Sequence, residues 1–174
     1  MDIRGAFDNV NYESIVNAMR DFGVNKNIIK WYDHMLKNRH IMCDLSGEFV
    51  IKSPQKGVPQ GGVLSPIVWN MVLFRWLKQL SRRDIKGLKI ICYADDILLL
   101  ATGPKGSWKM KKTNLQDAIT ILTHEAKKDG LEFCTNKSVV LCFRPRNYGM
   151  TKKTGYFQEK QQINDVWKRI KLCE

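Results

Sequence analysis

A chain of 174 residues that is 44% hydrophobic and 26% charged is about one globular domain with a real core, which excludes a disordered or low-complexity protein. Twenty-nine Lys and Arg against 17 Asp and Glu leave a formal charge of +12, so the expected partner is a polyanion, nucleic acid before an acidic membrane surface. No apolar run reaches the roughly 20 residues that span a bilayer, because Arg75 and Lys78 interrupt the longest one, Ile67 to Leu80, and no membrane role is expected. The first residues, Met-Asp-Ile-Arg-Gly, read as turn chemistry and not as a secretory signal. Cys43, Cys92, Cys134, Cys142 and Cys173 are scattered without a C-x-x-C pair, as expected of small core hydrophobes in a reducing, intracellular compartment, nucleus and cytoplasm not being told apart.

The opening, MDIRGAFDNVN, places Asp2 and Asp8 around a Gly-Ala-Phe turn, with Asp8 and Asn9 read as cap residues. Tyr12, Ile15, Met19 and Phe22 repeat at helical spacing and predict a helix ended by Gly23, with Asn9 or Asn11 as its cap. A second helix, about Asn27 to Lys37, is expected to bury Ile28, Tyr32, Met35 and Leu36. His40 to Ser53 reads as a hairpin turning at Ser46-Gly47, with Val50 and Ile51 in the return strand. Lys56 to Gly62, KGVPQGG, is a glycine-rich loop whose backbone can approach a ligand closely. It ends at Ser65-Pro66, an expected N-cap and first-turn proline for a helix to about Leu80 that presents Val68, Met71, Val72, Leu73, Trp76 and Leu80.

Lys89 to Thr102, KIICYADDILLLAT, consists of two strand-length apolar runs meeting at Asp95 and Asp96, which predicts a β-hairpin with two carboxylates at its tip. Adjacent like charges resist desolvation unless a cation lies between them, and a divalent metal is the simplest such cation; a plain polar turn is the alternative. A helix from about Lys112 to Lys128 follows, with Leu115, Ile119, Leu122 and Ala126 on one face and Gly130 as its stop. Strand-like segments at Glu132-Phe133-Cys134 and Val139 to Phe143 come next, and from Arg144 on Lys and Arg dominate, with Ile163, Val166, Trp167 and Ile170 hinting at a short terminal helix. The whole is α+β, with helices packed on one face of a small antiparallel sheet. Asp2, the Asp95-Asp96 doublet and a glutamine-bearing glycine loop suit phosphoryl transfer, in which carboxylates hold two cations about 4 Å apart. Magnesium, or manganese, fits such an all-oxygen site.

These same segments resemble the palm of a reverse transcriptase of the non-LTR (LINE-like) retrotransposon type. DIRGAFDNV is similar to its first catalytic block, KGVPQGGVLSPIVWN to its template and nucleotide loop, YADDILLLATG to its catalytic hairpin, and GLEFCTNKSVVLCF to the strand block that follows. The resemblance covers residues 1–143 and leaves 144–174 as a basic C-terminal extension in which little order is expected. It implies a partial palm lacking most of the fingers and the thumb, because only Met1 precedes Asp2 and nothing after Phe143 resembles a primer grip.

The resemblance implies roles as well. Asp2 and Asp95 would ligate both metal ions, Asp96 would support them, and the carbonyl of Ile3 would add a ligand. Gly5 and Ala6 would offer amides to the triphosphate, Phe7 would underlie the sugar and exclude a 2′-hydroxyl, and Gln60 with Gly61 would meet the nucleotide. Lys137 would protonate the departing pyrophosphate, and Pro59 and Tyr93 would flank primer and template. The implied partners are an RNA template, a DNA primer and deoxynucleoside triphosphates. Read without the resemblance, Phe7 is a core residue, Lys137 a solvated charge, and Lys109 to Lys112 either a phosphate-tracking run or a solvated face. His34, His40 and His124 have no ligand spacing. A non-catalytic nucleic-acid-binding remnant is the alternative of another class, and a group II intron type enzyme the alternative within the polymerases. Too few ladder hydrogen bonds are expected to hold Asp2 for activity of the chain alone.

Overall fold

The computed structural model describes residues 1–104, 107–145 and 156–162, with side chains only up to residue 141. In chain order the elements are α1 (Ala6–Asn9), α2 (Tyr12–Asp21), α3 (Lys26–Lys37), β1 (Ile41–Leu45), β2 (Glu48–Lys52), α4 (Ser65–Ser81), β3 (Leu88–Tyr93), β4 (Asp96–Ala101), α5 (Trp108–Lys128), β5 (Val139–Pro145) and β6 (Tyr156–Gln162). Helices and small antiparallel sheets are mixed, an α+β composition. The strands pair as three separate two-stranded ribbons, β1 with β2, β3 with β4 and β5 with β6, where a single sheet was expected. Two compact units emerge, one of Ile3–Glu132 and one of Met1–Asp2 with Phe133 onward.

In the larger unit α4 packs against both α2 and α5, α3 against α2, and α5 against β4. Val68, Trp69, Val72, Leu73, Trp76 and Leu80 form the buried stripe of α4, at the spacing a 3.6-residue turn requires. Trp69 and Trp76 meet edge to face with centroids 5.9 Å apart. The Trp76 indole, fully buried, donates from Nε1 to Asp129 Oδ2 at 2.6 Å, which satisfies a buried carboxylate at the end of α5. On α3 the buried stripe is Ile29, Tyr32 and Leu36, and Ile28 is half exposed, so the expected stripe is off by one residue at its start.

Two expected caps do not form. Asn11 occupies the cap position of α2 without a side-chain bond to the helix; its amide lies against Gly130, which turns with φ of 77° after α5. Ser65 is the first helical residue of α4, one place too late to cap it, and its hydroxyl donates to Pro59 O at 2.7 Å. Helix α5 starts at Trp108, four residues before the expected Lys112, because the apolar stripe of a helix registers only where its side chains are buried. Of the cysteines, Cys43 is exposed and not a core residue, whereas burial pushes the Cys92 thiol above its ordinary value. Both faces of the β1–β2 ribbon are exposed, Met42 and Ile51 to 65% and 64%. Among the described residues no helix is long and apolar enough to cross a membrane.

Tyr32 is buried among these helices, and its hydroxyl finds no hydrogen bond of good geometry among the described residues. Burial pushes its phenol above the ordinary value, partly offset by the nearby Ser65 hydroxyl and Arg39 guanidinium. A raised value means that the folded state holds the proton more tightly than the unfolded chain. Stability is therefore complete below about pH 10 and falls as pH rises beyond it. Tyr32→Phe is expected to remove that alkaline loss and to change stability at pH 7 by less than about 1 kcal/mol, read from urea melts at pH 7 and pH 10.5.

In the smaller unit β5 and β6 pair antiparallel with Val139 opposite Gln162 and Pro145 opposite Tyr156. Strand β6 falls in a stretch where no strand was expected. The expected terminal helix around Ile163, Val166, Trp167 and Ile170 lies outside the described residues.

Candidate functional site

The acidic hairpin is built on a tight register. Cys92 pairs with Ile97 and Tyr93 with Asp96, so the two-residue turn is Ala94-Asp95, and Asp96 is the first residue of β4 instead of a second tip residue. Ala94 has φ of 50°, a left-handed conformation that costs an alanine about 1 kcal/mol. The Trp69 indole offsets this by donating from Nε1 to Ala94 O at 2.7 Å, which ties the turn to the buried stripe of α4.

Although both runs are almost wholly apolar, the ribbon alternates in burial. Leu88, Ile90, Cys92, Ile97 and Leu99 face inward, while Ile91, Tyr93, Asp96, Leu98 and Leu100 are exposed, Tyr93 to 83%. The Asp95 side chain sits in the turn and Asp96 lies across from Tyr93 on the exposed face. Neither carboxylate makes an ion pair among the described residues.

The glycine-rich loop is laid against α1. Gly57 N donates to Val10 O at 2.7 Å and Val58 N to Phe7 O at 2.6 Å. Gly57 turns with φ of 79°, and a Cβ there would lie 2.5 Å from Asp8 O, so only glycine permits the approach. The Arg39 guanidinium donates to the carbonyls of Lys56 and Gly57 at 2.9 and 3.0 Å. Beyond this pinned segment Gln60 and Gly61 are exposed, and Gln60 Nε2 donates to both carboxylate oxygens of Asp8, at 2.9 and 3.0 Å.

Phe7 is half-buried, its ring 5.8 Å from that of Trp69. Gly5 precedes α1 with φ of 52°, and Ala6 is buried. Trp69 therefore touches Phe7 with its ring and Ala94 with its N–H, and so joins the first block, the helix after the glycine loop and the hairpin turn within one unit. Ile3, in the same unit, is buried.

The smaller unit holds Asp2 and Lys137. Asp2 N donates to Ser138 Oγ at 3.1 Å and Asp2 O accepts from Cys134 N at 2.8 Å. The Lys137 ammonium stands 3.9 Å from Asp2 Oδ2, itself in a turn closed by bonds from Lys137 N and Ser138 N to Cys134 O. Among the described residues no three His, Cys, Asp or Glu side chains gather as a group that could hold a metal ion.

Two contributors were not expected. Asp8 was read as a cap but holds Gln60, and Trp69 was absent from the expected stripe of α4 although it stands three and seven residues before Val72 and Trp76. The helical spacing of Trp69 was a usable signal; nothing local in the sequence joins Asp8 to a residue 52 positions away.

Residues 1–164 match the family described as reverse transcriptase (RNA-dependent DNA polymerase). The chain is 28% identical over 153 residues to the Retrovirus-related Pol polyprotein from type-1 retrotransposable element R2 of Nasonia vitripennis, covering 83% of this chain and 14% of that one. It is 32% identical over 108 residues to a polyprotein of the same description from Popillia japonica, covering 58% of this chain and 18% of that one. It is also 23% identical over 192 residues to the Putative COX1/OXI3 intron 1 protein of Saccharomyces cerevisiae, covering 82% of this chain and 22% of that one. The chain spans less than a quarter of the length of each of these relatives.

Proposed function

The chain belongs to the reverse transcriptase (RNA-dependent DNA polymerase) family, with relatives among non-LTR retrotransposon polyproteins, and from that premise we propose that it is the polymerase palm carrying the nucleotidyl-transfer site. The observation that carries the reading is Trp69, which ties the turn bearing Asp95 to Phe7 and to the helix launched by the Gln60 loop. Asp95 and Asp96 would hold Mg²⁺ or Mn²⁺, and the resemblance makes Asp2 and the Ile3 carbonyl further candidate ligands. When bound, the ions supply activation of the attacking primer oxygen and charge stabilisation of the leaving pyrophosphate.

The protein's own residues bind and orient. Gly5 and Ala6 offer backbone N–H groups to the triphosphate, and Gln60 and Gly61 meet the nucleotide. Phe7, braced by Trp69, presents a ring edge where a 2′-hydroxyl would clash, which selects deoxynucleotides. The Lys137 ammonium, 3.9 Å from Asp2 Oδ2, gives its proton to the departing pyrophosphate oxygen. Pro59 and the exposed Tyr93 flank primer and template, and the +12 charge holds the RNA template and DNA primer.

The chain by itself polymerises poorly or not at all in this reading, because Asp2 is held by two backbone-level bonds and a catalytic metal ligand must be placed within about 0.5 Å. On poly(rA) primed with oligo(dT) and supplied with Mg²⁺ and dTTP, extension near background is expected; robust extension abolished by Asp95→Asn overturns the inactivity. Mn²⁺ at ten times its dissociation constant is expected to raise the melting temperature by about 3–6 °C, and Asp96→Ala to remove the rise. A melting temperature indifferent to Mn²⁺ overturns the metal site. It then favours a non-catalytic nucleic-acid-binding remnant, whose RNA affinity falls steeply with salt and needs no metal.

A further inference from the structure

We propose that Asp8 is the positioning residue of Gln60: it holds the glutamine amide inward, so that Oε1 faces outward and accepts a hydrogen bond from a sugar hydroxyl or base N–H of the nucleotide. The inference rests on the reading of Gln60 as a nucleotide contact and narrows what that contact can be.

A free glutamine amide turns over readily, because its terminal torsion is broad and nearly two-fold, and it then offers a donor and an acceptor alternately. Here one face of Gln60 meets both oxygens of a carboxylate, at 2.9 and 3.0 Å. A carboxylate only accepts, so the nitrogen must face it; the flipped amide would set oxygen against oxygen. The charge-assisted bond to Asp8 therefore fixes which polar atom the exposed side of Gln60 presents.

The backbone on both sides is already immobilised. Gly57 and Val58 are bonded to Val10 and Phe7, and Pro59 O accepts from Ser65 Oγ, so Asp8 and Gln60 keep their distance without relying on their own bond. Asp8 is thus spared from holding the loop in place, and its two hydrogen bonds govern amide direction. The chemical consequence is selective. Phosphate oxygens accept only and cannot meet Oε1, so Gln60 recognises the nucleoside part of the ligand and leaves the triphosphate to other groups.

Binding of dTTP and of inorganic tripolyphosphate, each with Mg²⁺, to the unsubstituted chain and to Asp8→Asn, Gln60→Ala and the double variant tests this. Asparagine keeps the shape of Asp8 but accommodates either amide orientation. Each single variant is expected to weaken dTTP about fivefold, the double variant no further, and tripolyphosphate binding not to weaken in any of them. The tripolyphosphate arm also absorbs the general effect of removing a negative charge. In the unsubstituted ¹⁵N-labelled chain one Gln60 Nε2 proton is expected well downfield of ordinary glutamine amides, a readout that needs no variant to fold.

Weaker dTTP binding in Gln60→Ala but not in Asp8→Asn, additive losses, or an ordinary Gln60 amide spectrum overturns the positioning role alone. Equal losses for dTTP and tripolyphosphate overturn the nucleoside assignment. A chain that binds dTTP no better than tripolyphosphate overturns the nucleotide reading of Gln60 and this inference with it.

Discussion

Trp76→Ala is expected to remove most of the stability of the larger unit. The side chain lies on α4, the helix that packs against α2 and α5, is fully buried, packs edge to face on Trp69, and supplies the 2.6 Å donor to Asp129. Truncating a buried tryptophan costs about 3–5 kcal/mol through lost transfer energy and the cavity left behind. The carboxylate of Asp129, 9% exposed, then keeps the Arg75 guanidinium at 3.9 Å as its ion-pair partner among the described residues, and an under-satisfied buried acceptor adds about 1–3 kcal/mol. Domains of this size are stable by only about 5–15 kcal/mol, so the variant should melt more than about 10 °C lower or fail to fold. Trp76→Phe separates the two contributions, since it keeps most of the volume and loses the donor. Urea denaturation monitored by circular dichroism reads both, and a loss under about 1 kcal/mol in the alanine variant would refute the placement of Trp76 at the centre of the core.

Gly57→Ala is expected to cost about 2–4 kcal/mol and to detach the glycine-rich loop from α1. The added Cβ would stand 2.5 Å from Asp8 O and 2.7 Å from Asp8 C and Phe7 O, backbone atoms with no rotamer to escape into. Gly61 is the internal control: its φ of 80° imposes a similar left-handed conformation, but nothing lies within 4 Å of its Cβ direction, so Gly61→Ala should cost only about 1–2 kcal/mol. The difference between the two isolates the steric contribution. Amide hydrogen exchange at Gly57 and Val58, whose N–H groups bond Val10 and Phe7, should accelerate in Gly57→Ala and stay slow in Gly61→Ala. Equal costs in the two variants would mean that the loop yields without losing its seat.

Much of the local architecture was legible before any fold was known. Helices α2, α3 and α4, the Ser46-Gly47 hairpin, the glycine stops after α2 and α5, and the hairpin around Asp95 each depend on residues within a few positions of one another. Periodicity and turn chemistry report such short-range constraints. The family blocks were legible for the same reason, being contiguous strings.

What the linear chain left open was decided by packing between distant segments. Whether Ser65 caps a helix or fastens a loop depended on where Pro59 came to rest, and Asp8 became the partner of Gln60 only once Gly57 had closed on the backbone of α1. Lys89, Tyr93 and Asp96 set the exposed face of the hairpin apart, but Ile91, Leu98 and Leu100 on that face are as apolar as the inward residues, so apolarity alone did not mark which side would be buried. Composition and spacing set the elements because they act through neighbouring residues; contacts across 25 to 52 positions, such as Trp69 with Ala94 and Asp8 with Gln60, follow from which faces can be buried together, and only the tertiary structure holds that information.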